Sequence, residues 1–277
     1  MSLDSRITLA RPDLASASLQ GLVRAERFVA PTPLACGVAA TAVRKAPDAE
    51  AEQVDQLLLG EAFDIIEETA GFAWGQARRD GYVGYVARAD LGDRATPTHR
   101  VRALRTYAFA APSIKAPALG PFSLGGLVRI VAEEGRFLGD GAGRWFVGEH
   151  LAEVGRGFAA DPAAVAEAYL GAAYLWGGRE SLGLDCSGLV LQALLACGRA
   201  CPRDTDMQEQ AFAEIPRTAL RRGDLVFWRG HVAMMVDADQ IIHANAHHMA
   251  VAIEPLDAAI ARIEAAGSGH PTSFRRP

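Results

Sequence analysis

Along the first third of the chain, apolar residues come in short runs separated by glycine or charged turns. Leu57-Leu58-Leu59-Gly60-Glu61, Phe63 to Ile66, Phe72 to Gly75 and Tyr82 to Ala87 read as strands. The stretch before them, residues 1–30, reads as a partly helical arm. Near residue 160 the texture changes. Asp161-Pro162 followed by Ala163 to Leu170 predicts a helix, with Asp161 as N-cap and Pro162 at the first helical position. Ser187 to Ala196 predicts a second helix with Leu189, Val190, Ala193 and Leu194 on one face. Asp224 to Phe227, Val232 to Val236 and Gln240 to Ala244 read as strands, and Leu256 to Ala265 as a closing helix. Helices followed by strands predict an α+β domain.

A weak internal repeat adds detail to the front half. Leu59-Gly60-Glu61 to Glu68 aligns with Leu124-Gly125-Gly126 to Glu133, and Gly84-Tyr85-Val86 with Arg144-Trp145-Phe146. The offsets are 65 (124 − 59) and 60 (145 − 85), as a shorter loop in the second copy would give. Two small β barrels fit this spacing better than one sandwich. The expected division is an arm over 1–33, barrels over 34–93 and 98–155, and an α+β domain over 156–277.

Composition narrows the function classes. Half of the 277 residues are hydrophobic and 22% are charged, which is globular. A net charge of −5 and a pI near 5.8 argue against nucleic acid as a partner. No uninterrupted apolar run reaches the ~18 residues of a transmembrane helix, and charges scattered through residues 1–30 leave no apolar signal core. Leu34-Ala35-Cys36 faintly suggests a lipoprotein site, but Pro31 and Pro33 interrupt the segment. A cytoplasmic location is expected. Four cysteines are too few for a disulfide scaffold.

The chemistry concentrates in Tyr174-Leu175-Trp176-Gly177-Gly178 and Gly183-Leu184-Asp185-Cys186-Ser187-Gly188-Leu189-Val190. Cys186 falls at a predicted helix start, where amide N–H groups and the helix dipole are expected to lower a thiol pKa. His231 opens one predicted strand and His243 lies at the end of the next. If these strands pair, one imidazole acts as base and the other orients it. Cys197 and Cys201, with His247-His248 downstream, lack a second ligand pair of matched spacing, so no metal or other cofactor is expected. Gly125-Gly126 and Gly139 to Gly143 read as turns rather than phosphate loops.

These segments resemble, in order, those of NlpC/P60 cysteine peptidases, a compact papain-like family acting on bacterial cell-wall peptides. The resemblance rests on Tyr-x-Trp-Gly-Gly, Asp-Cys-Ser-Gly-Leu-Val, Gly223-Asp224-Leu225-Val226-Phe227, His231-Val232 and Ile242-His243-Ala244. It covers roughly residues 160–250; Met234-Met235 departs slightly from the usual pattern. It implies Cys186 as nucleophile, His231 as general base and His243 as its orienting partner. Tyr174 and the Cys186 amide would stabilise the oxyanion.

The front of the chain resembles the bacterial SH3-like domains that precede such peptidases in the γ-D-glutamyl-L-diamino acid endopeptidases (dipeptidyl-peptidase VI type). In that branch an acidic residue and a tyrosine from the first SH3-like domain help to hold the free amine of an N-terminal L-Ala. The matching positions are Glu61 and Tyr82, with Tyr85 as the alternative. Asp185 and Ser187, flanking the nucleophile, would complete the amine site. Arg203 in Cys201-Pro202-Arg203-Asp204 matches a further family segment and reads as a loop-positioning residue. The implied activity is hydrolysis of the γ-D-Glu–diamino acid bond of murein peptides, in cell-wall peptide recycling. Another thioester-forming amidase or acyltransferase, or a general wall endopeptidase, remains the alternative. A non-catalytic wall-binding module fits the intact Cys-His-His set least.

Overall fold

The computed structural model describes residues 3–277. The chain divides at Arg156–Gly157 into two compact units.

In the first unit, seven antiparallel strands form one sheet. Their order is Gln53–Leu58, Ala40–Arg44, Val83–Ala87, Phe72–Ala77, Ala62–Thr69, Thr32–Cys36 and Leu91–Asp93. Alternate residues turn inward, so Leu34, Val43, Leu57, Phe63, Ile65 and Val86 form a closed apolar core. The strand expected over Leu57-Glu61 ends at Leu58. Gly60 turns the chain there at a φ of +73°, and an added Cβ would sit 2.2 Å from the Leu127 carbonyl oxygen. Only glycine meets both demands.

Further along this unit come a three-stranded and a five-stranded sheet, built from strands between His99 and Glu153. Their shared core holds Val101, Ala108, Phe122, Val128, Phe146 and Leu151.

The arm differs from its expectation. Over residues 3–30 the described structure holds two short paired strands, Leu14–Ser16 and Arg27–Val29, and one 3-10 turn, but no α-helix. Tertiary packing accounts for this. Leu9 and Leu14 bury against Ile66 and Trp74, and the Arg11 guanidinium lies 4.1 Å over the Trp74 ring.

The second unit is a nine-stranded sheet with helices. We label the helices α1 (Pro162–Glu167), α2 (Cys186–Ala196), α3 (Thr205–Ala211) and α4 (Leu256–Ala265). Three strands at its centre, Leu225–Trp228, His231–Met235 and Gln240–Asn245, run antiparallel to their neighbours, followed by Ala250–Pro255. Val226, Trp228, Ala233, Met235 and Ile241 meet Leu256, Ala259 and Ile263 of α4. Asp161 caps α1, its side chain accepting from Ala163 N–H at 2.9 Å. Helix α2 departs from the one-faced pattern expected of it: every residue but Leu195 is buried. Its Leu, Val and Ala residues are apolar all round, which suits a helix enclosed on every side.

Candidate active site

The start of α2 is built by backbone crowding and one carboxylate. Asp185 is the N-cap, with Oδ1 accepting from Gly188 N–H at 2.7 Å and Oδ2 from Gly177 N–H at 2.9 Å. Around it the chain packs so closely that a Cβ on Gly188 would lie 2.3 Å from the Gly178 carbonyl oxygen. The glycines of the two densest motifs therefore serve one junction. Arg203, itself buried, grips the same carboxylate with both Nη atoms, at 3.0 and 2.7 Å. Ser187 Oγ accepts from Arg203 at 2.8 Å and donates to Asp185 at 3.2 Å. Asp185 and Ser187, expected to serve the substrate amine, are thus engaged in capping α2 and anchoring Arg203.

Cys186 is the first residue of α2 and is buried. Its Sγ lies 3.8 Å from Thr205 Oγ1, at the start of α3. The Val232 amide, next in the chain to His231, also bonds the sulfur, as does the Ser187 amide. The thiol therefore sits against the opening of the His231 strand. Its pKa was expected to fall but is pushed up to about 11. Burial is the main cause and the Asp185 charge adds to it; the amides and Thr205 only partly oppose them.

His231 and His243 come together from neighbouring strands. Met234 stands opposite Ile242, so both histidines project from one face, diagonal to each other. His231 Nε2 lies 2.8 Å from His243 Nδ1. His243 Nε2 in turn lies 2.8 Å from Glu254 Oε1, and Arg262 of α4 pairs with that same oxygen. Burial lowers the His231 pKa to about 3, helped by the charges of His243 and Arg262. Burial likewise lowers that of His243 to about 4, against the pull of Glu254.

Tyr174 is half-buried, and its phenol is pushed up to about 12, first by burial and then by the charges of Cys186 and Asp185. It is therefore a neutral O–H donor beside the thiol at ordinary pH.

Glu61 and Tyr82 belong to the first unit. Glu61 is buried, with Oε2 accepting from Leu58 N–H at 2.9 Å and from Arg79 at 3.0 Å. Arg79 also pairs with Asp55 and Asp80, so three carboxylates surround one guanidinium. Tyr82 is buried, and its amide donates to Asp80 Oδ1 at 3.1 Å. Tyr85 Oη accepts from Arg11 at 2.6 Å.

Sequence reasoning missed Thr205, Glu254 and Arg262. Glu254 left one signal, a carboxylate inside the otherwise apolar strand Ala250–Pro255. Among the described residues, His243, His248 and Glu254 bring possible metal-ligand atoms within 4.8 Å of one another. In that group Glu254 is already shared between His243 and Arg262.

Residues 171–265 match the sequence profile of the NlpC/P60 family, and residues 43–91 that of the bacterial dipeptidyl-peptidase Sh3 domain. Residues 171–265 are an NlpC/P60 cysteine peptidase domain. The chain is 28% identical over 240 residues to dipeptidyl-peptidase 6 of Lysinibacillus sphaericus, covering 76% of this chain and 87% of that one. It is 34% identical over 84 residues to a gamma-D-glutamyl-L-lysine dipeptidyl-peptidase of Bacillus subtilis, covering 27% of this chain and only 28% of that one. A crystal structure of an NlpC/P60 family protein from Bacillus cereus superposes with a TM-score of 0.75 at 19% identity, over 88% of this chain and 99% of that one. That likeness shows the shared fold. The NlpC/P60 match spans all of α2, the two histidines and Glu254.

Proposed function

We propose that this NlpC/P60 peptidase hydrolyses the γ-D-Glu–diamino acid bond of short murein peptides bearing a free N-terminal L-Ala, in cytoplasmic recycling of wall peptides. The chemistry is carried by the Cys186 thiol at the opening of the His231 strand together with the 2.8 Å hydrogen bond between His231 and His243. The substrate reading is supported by the 240-residue similarity to a dipeptidyl-peptidase and by the Sh3 domain ahead of the peptidase.

In this reading the resting thiol and imidazole are both neutral, since the thiol pKa lies far above that of His231. As the sulfur attacks the γ-carbonyl carbon, its proton passes to His231 Nδ1, the ring nitrogen not bonded to His243. The oxyanion takes hydrogen bonds from the Cys186 amide and the Tyr174 hydroxyl. His231 then gives its proton to the departing amine, leaving an L-Ala-γ-D-Glu thioester that water hydrolyses. Glu61 and Tyr82 are our candidates for recognising the amine. Three carboxylates gather around one guanidinium there, acceptors of the kind an ammonium group pairs with.

The test is incubation with L-Ala-γ-D-Glu-meso-diaminopimelate and mass analysis. Release of L-Ala-D-Glu and free diaminopimelate is expected, and cleavage at any other bond would overturn the substrate assignment. The N-acetylated peptide should react at least about a hundredfold slower, because acetylation deletes the charge a carboxylate would pair with. Equal rates on both peptides would make the protein a general wall endopeptidase.

A further inference from the structure

We propose that Glu254 is a positioning residue that sets the tautomers of both histidines and so leaves His231 Nδ1 as the proton acceptor for Cys186. The inference rests on the reading of Cys186 as nucleophile and His231 as base, and it adds a fourth group behind them.

An ionised carboxylate only accepts. Burial works to raise the Glu254 pKa, but Arg262 and His243 outweigh it and hold the group below the ordinary carboxylate range, so it is ionised at neutral pH. His243 Nε2, 2.8 Å from Glu254 Oε1, must then be the N–H donor. A neutral imidazole carries one N–H, so His243 Nδ1 is a lone pair. That lone pair faces His231 Nε2 at 2.8 Å, which must therefore carry the proton of His231. The basic electron pair of His231 is left on Nδ1. Glu254 therefore sets the direction of both hydrogen bonds.

The strand register explains why the carboxylate reaches. His243 stands opposite Ala252, and Glu254 is two residues further along the same strand, diagonal to His243 on the same face. Helix α4 follows directly after that strand and returns Arg262 to Glu254. The charged and titratable groups around His243 are His231 on one neighbouring strand, Glu254 on the other, Arg262 from α4 and His248 from the following turn. His248 Nδ1 is bonded to Asn245 Oδ1 at 2.9 Å. Of these, only Glu254 is an obligate acceptor in contact with His243.

A glutamine at 254 keeps the shape and removes the direction, because its amide can accept or donate. The experiment compares wild type, Glu254→Gln, Glu254→Asp and Cys186→Ala. The readouts are steady-state kinetics on L-Ala-γ-D-Glu-meso-diaminopimelate, ¹⁵N NMR of the histidine rings, and thermal melts. Wild type should show both His231 and His243 as Nε2–H tautomers. Glu254→Gln should show mixed tautomers at His243 and a kcat lowered about ten- to a hundredfold, with KM within about twofold. Glu254→Asp, keeping an obligate acceptor, should recover part of that loss. An Nδ1–H tautomer of His243 in wild type, or a Glu254→Gln variant with unchanged kcat, would overturn the proposal. If Glu254→Gln fails to fold, the wild-type tautomers still decide it. Full activity in Cys186→Ala would instead sink the nucleophile reading, while the ring spectra separately report on Glu254.

Discussion

His231 and His243 share one hydrogen bond of 2.8 Å, Nε2 to Nδ1, across adjacent antiparallel strands, and both imidazoles are held neutral. Burial dominates both shifts. A neutral pair can pass a proton in one defined direction, whereas two cations at this distance would repel.

Replacing Cys186 by Ala should abolish hydrolysis and leave the fold intact. The residue occupies the first position of α2, where alanine meets no steric conflict. Turnover should fall by at least about a thousandfold with an unchanged melt. Residual activity above that level would remove Cys186 from the nucleophile role.

His231→Ala should be more damaging than His243→Gln. In our mechanism His231 carries the proton, whereas His243 only orients it, and a glutamine side chain can still bond the His231 ring. The comparison is kcat for the two variants; the reverse order would exchange the base and orienter roles.

Acid should destabilise the protein through its buried histidines. The folded pKa of His243 lies near 4, below the ~6.5 of an unfolded chain. Between these values the unfolded state binds the extra proton, so stability is intact above about pH 6.5 and is lost as pH falls towards 4. The slope from His243 should approach ~1.4 kcal/mol per pH unit. Urea melts from pH 7 to 4.5 should show it, and His243→Gln should flatten it. An unchanged slope in that variant would mean His243 is not buried neutral.

Arg203→Ala should destabilise the peptidase unit rather than only slow it. It removes a buried, doubly bonded partner from Asp185 and leaves that buried carboxylate with only neutral donors, the Gly177 and Gly188 amides and Ser187. A broken buried pair costs about 3–5 kcal/mol, to be read as a shift in the urea midpoint. A midpoint within experimental error of wild type would show that water or another donor replaces the guanidinium.

The elements of the peptidase unit were legible wherever one local signal sufficed. Asp161-Pro162 announces α1, short continuous apolar runs announce the central strands, and Leu256 begins α4 as expected. Short α3 was missed because Thr205-Asp206-Met207-Gln208 carries no apolar period. The path of the arm is not legible because Leu9 and Leu14 pack on Ile66 and Trp74, a contact no local pattern records.

For the active site, the sequence by itself determined which residue types were on hand. It held a cysteine at a helix start, two histidines twelve residues apart and a tyrosine ahead of them. These are local chemistry at local spacing. The tertiary structure alone decided how they behave. A helix start should favour a thiolate, yet enclosure of α2 and the nearby Asp185 push the thiol the other way. Asp185 and Ser187 look available in the sequence but are tied to Arg203, 18 and 16 positions away. Glu254 and Arg262 carry no motif, and they join His243 only when one strand lies beside another and α4 folds back. Desolvation and long-range pairing depend on what surrounds a group in space, and a linear pattern does not encode that.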